Sequence, residues 1–210
     1  YLYNDIAIEL KNNNYDVEVL TTTPHYNIIQ SKNNNQKIEK VFFGLYYKSF
    51  FNGIKVYHVP LKKYKNTFLR LLSFIYWHFF SIIISFKIKN IDYVIAPSPP
   101  LTIGLVAIII SFFKSSKCIY NVQEIYPDLL IDLGYLKNRL FIKTLKKIEK
   151  WVYNMSDGIT TIDIQFYNII QSRIKEKNKL RVIPNFVDTE LYSIKSSFSL
   201  PNEFEKVEGY

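Results

Sequence analysis

Apolar positions fall into two kinds of run along the chain. Short ones at residues 16–20, 92–96, 117–122, 157–162 and 180–183 are apolar without strict alternation, the pattern of strands buried on both faces. Longer ones at 1–10, 66–89, 104–113, 138–153 and 165–175 recur at helical spacing. Asn12, Asn13 and Asn14 stop the opening helix. Two further β-like runs, 41–51 and 54–59, meet at Asn52-Gly53, whose tolerance of positive φ favours a tight hairpin. Strands that alternate with helices predict an α/β fold: a parallel sheet with helices on both faces.

The segment 66–89 is unusual. Its apolar length approaches the roughly 20 residues of a membrane span, yet Arg70, Ser73, His78, Ser81 and Ser85 interrupt it. Lys62, Lys63 and Lys65 precede it, and Lys87 and Lys89 follow. The expectation is a helix packed on the sheet; a helix so packed whose outer face also touches a bilayer, and a true span, are the alternatives. The lysines of the 138–153 helix (Lys143, Lys146, Lys147, Lys150) read more simply as a solvated face.

A length of 210 residues suffices for one domain with a sizeable core, and 48% hydrophobic with 21% charged residues excludes a disordered chain. Cys118 has no other cysteine to pair with, which suits a reducing compartment. His25, His58 and His78 are scattered, without zinc-type spacing or a Ser-His-Asp arrangement. The net charge of +9 points to an anionic partner, whether a membrane surface, a phosphorylated substrate or nucleic acid. Nucleic acid is disfavoured: no recognition helix or aromatic RNA platform is recognisable. Residues 1–10 read as a helix already under way, and 204–210 begin something further, so the sequence is expected to be part of a longer protein.

Candidate chemistry gathers where strands end, because the strand fixes the backbone and the next loop presents side chains. Four such exits are polar or bent: residues 21–26, 97–104, 123–128 and 160–163. Glu124 leaves the 117–122 strand before any helix needs a cap, so it is the preferred functional carboxylate. Asp128 follows Pro127 and reads first as the acid opening the next helix. Ser98 and Thr102, beside a helix start, suit a phosphate or a sugar hydroxyl; the plainer reading of Pro97-Ser-Pro-Pro100 is a rigid lead into that helix. His25 sits in a loop, where a surface role competes with that of a base.

Four segments together resemble one family: Thr22-Thr-Pro-His-Tyr26, Ile95-Ala-Pro-Ser-Pro-Pro-Leu-Thr-Ile-Gly-Leu105, Tyr120-Asn-Val-Gln-Glu-Ile-Tyr-Pro-Asp128 and Val182-Ile-Pro-Asn-Phe-Val-Asp188. In order and spacing they are similar to the N-terminal domain of family-4 GT-B glycosyltransferases, especially those that build bacterial O-antigen, colanic acid and capsule chains. The resemblance implies a Rossmann-like, acceptor-binding half over residues 1–188 and a linker over 189–210, leading to a donor-binding half. It implies retaining transfer from a nucleotide-sugar donor to a polyprenyl-diphosphate-linked sugar acceptor, without cofactor or essential metal, on the cytoplasmic face of the cell membrane. Under it Glu124 is the catalytic residue, and His25, Ser98, Thr102, Gln123 and Asp128 bind the acceptor. The family's first strand with its Gly-rich turn would precede Tyr1, and its paired glutamates would follow Tyr210. The competing readings are a non-catalytic membrane-surface module and a nucleotide-sugar epimerase of the same two-half architecture.

Overall fold

The computed structural model describes residues 2–23, 38–62 and 64–186. Among them, β5 (Tyr93–Ser98), β6 (Lys117–Val122), β7 (Gly158–Thr161) and β8 (Leu180–Val182) form a parallel sheet in that order. The connections carry α3 (Leu101–Lys114), α4 (Asp128–Asp132), α5 (Arg139–Met155) and α6 (Ile164–Gln171). Parallel strands need such crossovers, and the helices cover faces that would otherwise expose Ala96, Cys118, Tyr120, Val122 and Ile159, all buried. The expected α/β class, a parallel sheet flanked by helices, is borne out here.

The rest differs from a single parallel sheet. After α1 (Leu2–Asn12), strands β1 (Glu18–Thr22), β2 (Glu39–Val41), β3 (Tyr46–Phe51) and β4 (Ile54–Val59) form a separate sheet ordered β1-β4-β3-β2, the first in chain order, with the β5–β8 sheet the second. Only β1 and β4 run parallel in it. The cause is the Asn52-Gly53 turn, whose positive φ angles of 49° and 73° reverse the chain within two residues. The strand expected over 41–51 is also broken, by a 3-10 turn Phe42–Gly44 in which all three residues have positive φ. His58 pins this sheet internally. Its Nδ1 donates to the Thr22 carbonyl at 3.2 Å, which leaves Nε2 to accept from Ser49 Oγ at 2.7 Å.

Helix α2 (Thr67–Ser85) joins the two sheets. Asn66 caps it, its side chain accepting from the backbone N–H of Phe68 and Leu69 at 2.8 and 3.2 Å. Trp77 and Ile84 pack with Tyr46, Tyr57 and Val59 of the first sheet. It stops short of the expected Lys89: past Ser85 the N–H groups of Phe86, Lys87 and Ile88 bond three residues back, and Lys114 Nζ donates to the Phe86 and Ile88 carbonyls at 3.2 and 2.6 Å. Helix α3 starts three residues earlier than expected, directly after Pro100, and α6 ends at Gln171 rather than Lys175.

One close approach sets the helix layer. A Cβ on Gly104 would come 2.6 Å from Val152 Cγ1 and 2.9 Å from the Tyr120 ring, so α3, α5 and β6 meet there only because the residue is glycine. Both neighbours are buried and unable to swing away. Gly104→Val is therefore expected to cost about 2–3 kcal/mol through overpacking. The check is a lower urea midpoint with an unchanged m-value.

Candidate functional site

The parallel register aligns the strand exits. Ser98 pairs with Val122, Val122 with Thr161 and Thr161 with Val182, so the chain leaves all four strands along one line. Three of the four expected exits, after β5, β6 and β7, therefore share an edge. The exit of β1 belongs to the other sheet, and His25 lies outside the described residues.

A polar chain runs along this edge. Asn121 Oδ1 accepts from the Tyr3 hydroxyl and from Gln123 Nε2, each at 2.6 Å, while Asn121 Nδ2 donates to Thr160 Oγ1 at 2.7 Å. Asn185 Nδ2 closes it by donating to Gln123 Oε1 at 2.8 Å. Both ends of the Gln123 amide are thus engaged. Burial pushes the Tyr3 phenol up to about 12, against a lowering contact from Gln123, so Tyr3 remains a donor at neutral pH.

Glu124 stands apart. Half-buried just past β6, its carboxylate makes no hydrogen bond or ion pair among the described residues. Its backbone is held: Ser98 Oγ, buried, donates to the Glu124 carbonyl at 3.1 Å. Ser98 thereby fixes the loop, while Thr102 stands in the first turn of α3 with its Oγ1 buried and unpartnered. That helix has no side-chain cap, and its first turn is closed by the Ile103 N–H donating to the Pro100 carbonyl at 3.0 Å.

Asp128 points into a charge cluster. It opens α4, pairs with Lys146 at 3.1 Å and is hydrogen-bonded by Arg173. Arg173 also donates to Glu149 Oε1 at 2.6 Å, so one guanidinium ties α4, α5 and the end of α6 together. Burial pushes the Asp128 carboxyl up, but Arg173 and Lys146 outweigh it and hold it below the usual range. Glu149, 1% exposed, goes the other way: burial lifts it to about 7 despite Arg173.

The residues missed in the sequence were the supporting ones. Asn121 and Asn185 stand inside recognisable motifs, but Tyr3 reaches its partner across 118 positions and Arg173 reaches Asp128 across 45. No local pattern reports such pairs. Among the described residues no group of three His, Cys, Asp or Glu side chains converges as a metal site.

The family model for Glycosyltransferase Family 4 matches residues 3–191. The chain belongs to this family. No curated protein matches it. Membership in glycosyltransferase family 4 gives the aligned exits a general meaning, since glycosyl transfer requires a sugar donor and an acceptor. In this family-4 domain Asp128 is paired with Lys146 and Arg173, whereas Glu124, four residues earlier, has no such partner among the described residues.

The Glu149 site has a pH signature. A carboxyl whose pKa is higher folded than unfolded (ordinarily 4.5) binds its proton more tightly in the folded chain. Its contribution to stability is largest below the unfolded value and falls as pH rises through about 7. Glu149→Gln removes that titration. Wild type should lose stability relative to the variant between those pH values, on the order of 3 kcal/mol in total. Denaturation curves across the range measure this, and a constant gap would rule it out.

Proposed function

We propose that these residues form the acceptor-binding half of a retaining glycosyltransferase. It would move a hexosyl or N-acetylhexosaminyl group from a nucleotide-sugar to a polyprenyl-diphosphate-linked saccharide, in bacterial surface-polysaccharide (O-antigen, lipopolysaccharide or capsule) synthesis. The observation that carries this reading is the Glu124 carboxylate, without a hydrogen-bond or ion-pair partner among the described residues at the exit of a fixed strand, while its backbone is anchored by Ser98. A general base must reach the proton it takes, and a carboxylate already committed to a salt bridge is poorly suited. Glu124 is uncommitted; Asp128 is not.

In this reading the acceptor hydroxyl donates to Glu124, which orients it and takes its proton as the new glycosidic bond forms. Thr102, at the start of α3, and His25 bind the acceptor's sugar hydroxyls or phosphate. Ser98 and Gln123 hold the loop in place, and Asp128 supports it through Arg173. The nucleotide-sugar is bound mainly by a second half of the protein, whose positive groups stabilise the leaving diphosphate. No cofactor or essential metal takes part, and the enzyme works peripherally on the cytoplasmic face of the membrane. The residues in hand, without a donor half, should give no turnover.

The test is Glu124→Gln in the protein that includes both halves. Removal of a general base is expected to lower turnover by about 10²–10⁴-fold with the melting temperature unchanged. Turnover within a factor of about two would withdraw Glu124 from catalysis.

A further inference from the structure

Helix α2 is inverted. On a soluble amphipathic helix the polar side chains face water and the apolar ones face the core. Here Ser81 and Ser85 are buried, along with Trp77 and Ile84, and His78 Nε2 and Ser81 Oγ lie inside without a partner. Outward, by contrast, stand Phe68, Leu72, Ile75, Phe79, Ile83 and Phe86, spaced at 4, 3, 4, 4 and 3 residues. All six are exposed, Phe68 at 64% and Phe79 at 58%. That spacing is one continuous stripe on the face opposite the core.

Two other elements extend it. The Phe86 ring meets that of Phe113 at 5.7 Å, and Phe112 and Phe113 are exposed at the end of α3. Lys87 Nζ sits 4.4 Å from the Phe42 ring, joining the helix end to the 3-10 turn where Phe43 is wholly exposed. Two consecutive phenylalanines held at positive φ, 48° and 52°, place aromatic rings in water at a strained turn.

Charge decides what covers this surface. Residues 40–123 contain eleven Lys and Arg and one acid, Asp92; the other residues hold sixteen basic and seventeen acidic side chains. The whole positive excess therefore resides in the stretch that carries the stripe. Lys62, Lys65 and Arg70 surround its start, and Lys87 and Lys89 its end. Two copies packed through the stripe would bring these cations together.

We infer that α2, the end of α3 and the Phe42–Phe43 turn form one face that lies in the interfacial region of an anionic bilayer, with α2 in the membrane plane. The helix does not cross: its inner side is occupied by the first sheet and α3. The apolar stripe enters the acyl boundary while the lysines meet lipid phosphates, the combination that binds interfacial helices. Helix α2 follows β4, so its start lies at the exit end of that strand. The face thus deepens the proposed function, resting on its lipid-borne acceptor only for purpose and not for existence.

The experiment is co-sedimentation with vesicles of roughly 3:7 anionic to zwitterionic lipid, phosphatidylglycerol to phosphatidylcholine. The chain should bind these and bind about ten-fold more weakly to phosphatidylcholine alone, or in about 0.5 M salt, which screens the lysines. Ile75→Glu/Phe79→Glu, both at exposed positions, should abolish binding with an unchanged circular dichroism spectrum. Phe43→Trp should shift its emission to the blue on contact with anionic vesicles. Failure of wild type to bind, binding undiminished in the double variant, or a dimer that the double variant dissolves would each overturn the inference. Turnover on a water-soluble acceptor by the protein that includes both halves separates the two readings: it fails if the glycosyltransferase proposal is wrong, and persists while vesicle binding fails if only the face is wrong.

Discussion

The parallel register of β5 to β8 is the constraint on which the site depends. Strand β6 lies between neighbours, with Cys118, Tyr120 and Val122 buried, so a one-residue slip would turn these side chains toward the opposite face. Because that register is fixed, Ser98, Val122 and Thr161 end level with one another, and their loops emerge side by side. The contact between Ser98 and the Glu124 carbonyl follows from that alignment. So does the chain of amides from Tyr3 to Asn185.

Two carboxylates four residues apart illustrate how environment divides labour. Both leave the same strand, and both would be equally plausible acids on composition alone. Arg173 and Lys146 neutralise Asp128 and turn it into a tie between helices, whereas Glu124 has no such partner among the described residues. Glu149 completes that tie from inside, where its own desolvation opposes the ionised state. Such an arrangement braces the loop from below while leaving its upper surface chemically open.

The first sheet and α2 solve a different problem. A helix apolar on every side has no obvious outward face, and burying its serines against the sheet leaves the phenylalanines and isoleucines for another solvent. With the lysines gathered in the same stretch, the molecule is polarised: a polar chain of side chains along the strand-exit edge of one sheet, and an apolar, cationic face on α2.

Local pattern was enough for the sequence to establish the strands of the second sheet, helices starting near residues 66 and 138, the hairpin at Asn52-Gly53 and the candidacy of Glu124, because each depends on neighbours within a few residues. It also carried the family resemblance, which the match over residues 3–191 supports. Tertiary structure alone decided that the strands divide into two sheets, that Asp128 is spent on Arg173, and that Asn121 gathers Tyr3, Gln123 and Thr160. It alone showed which side of α2 faces out. These are contacts between residues tens of positions apart, and their energies depend on burial and geometry that a linear pattern of polar and apolar positions does not encode.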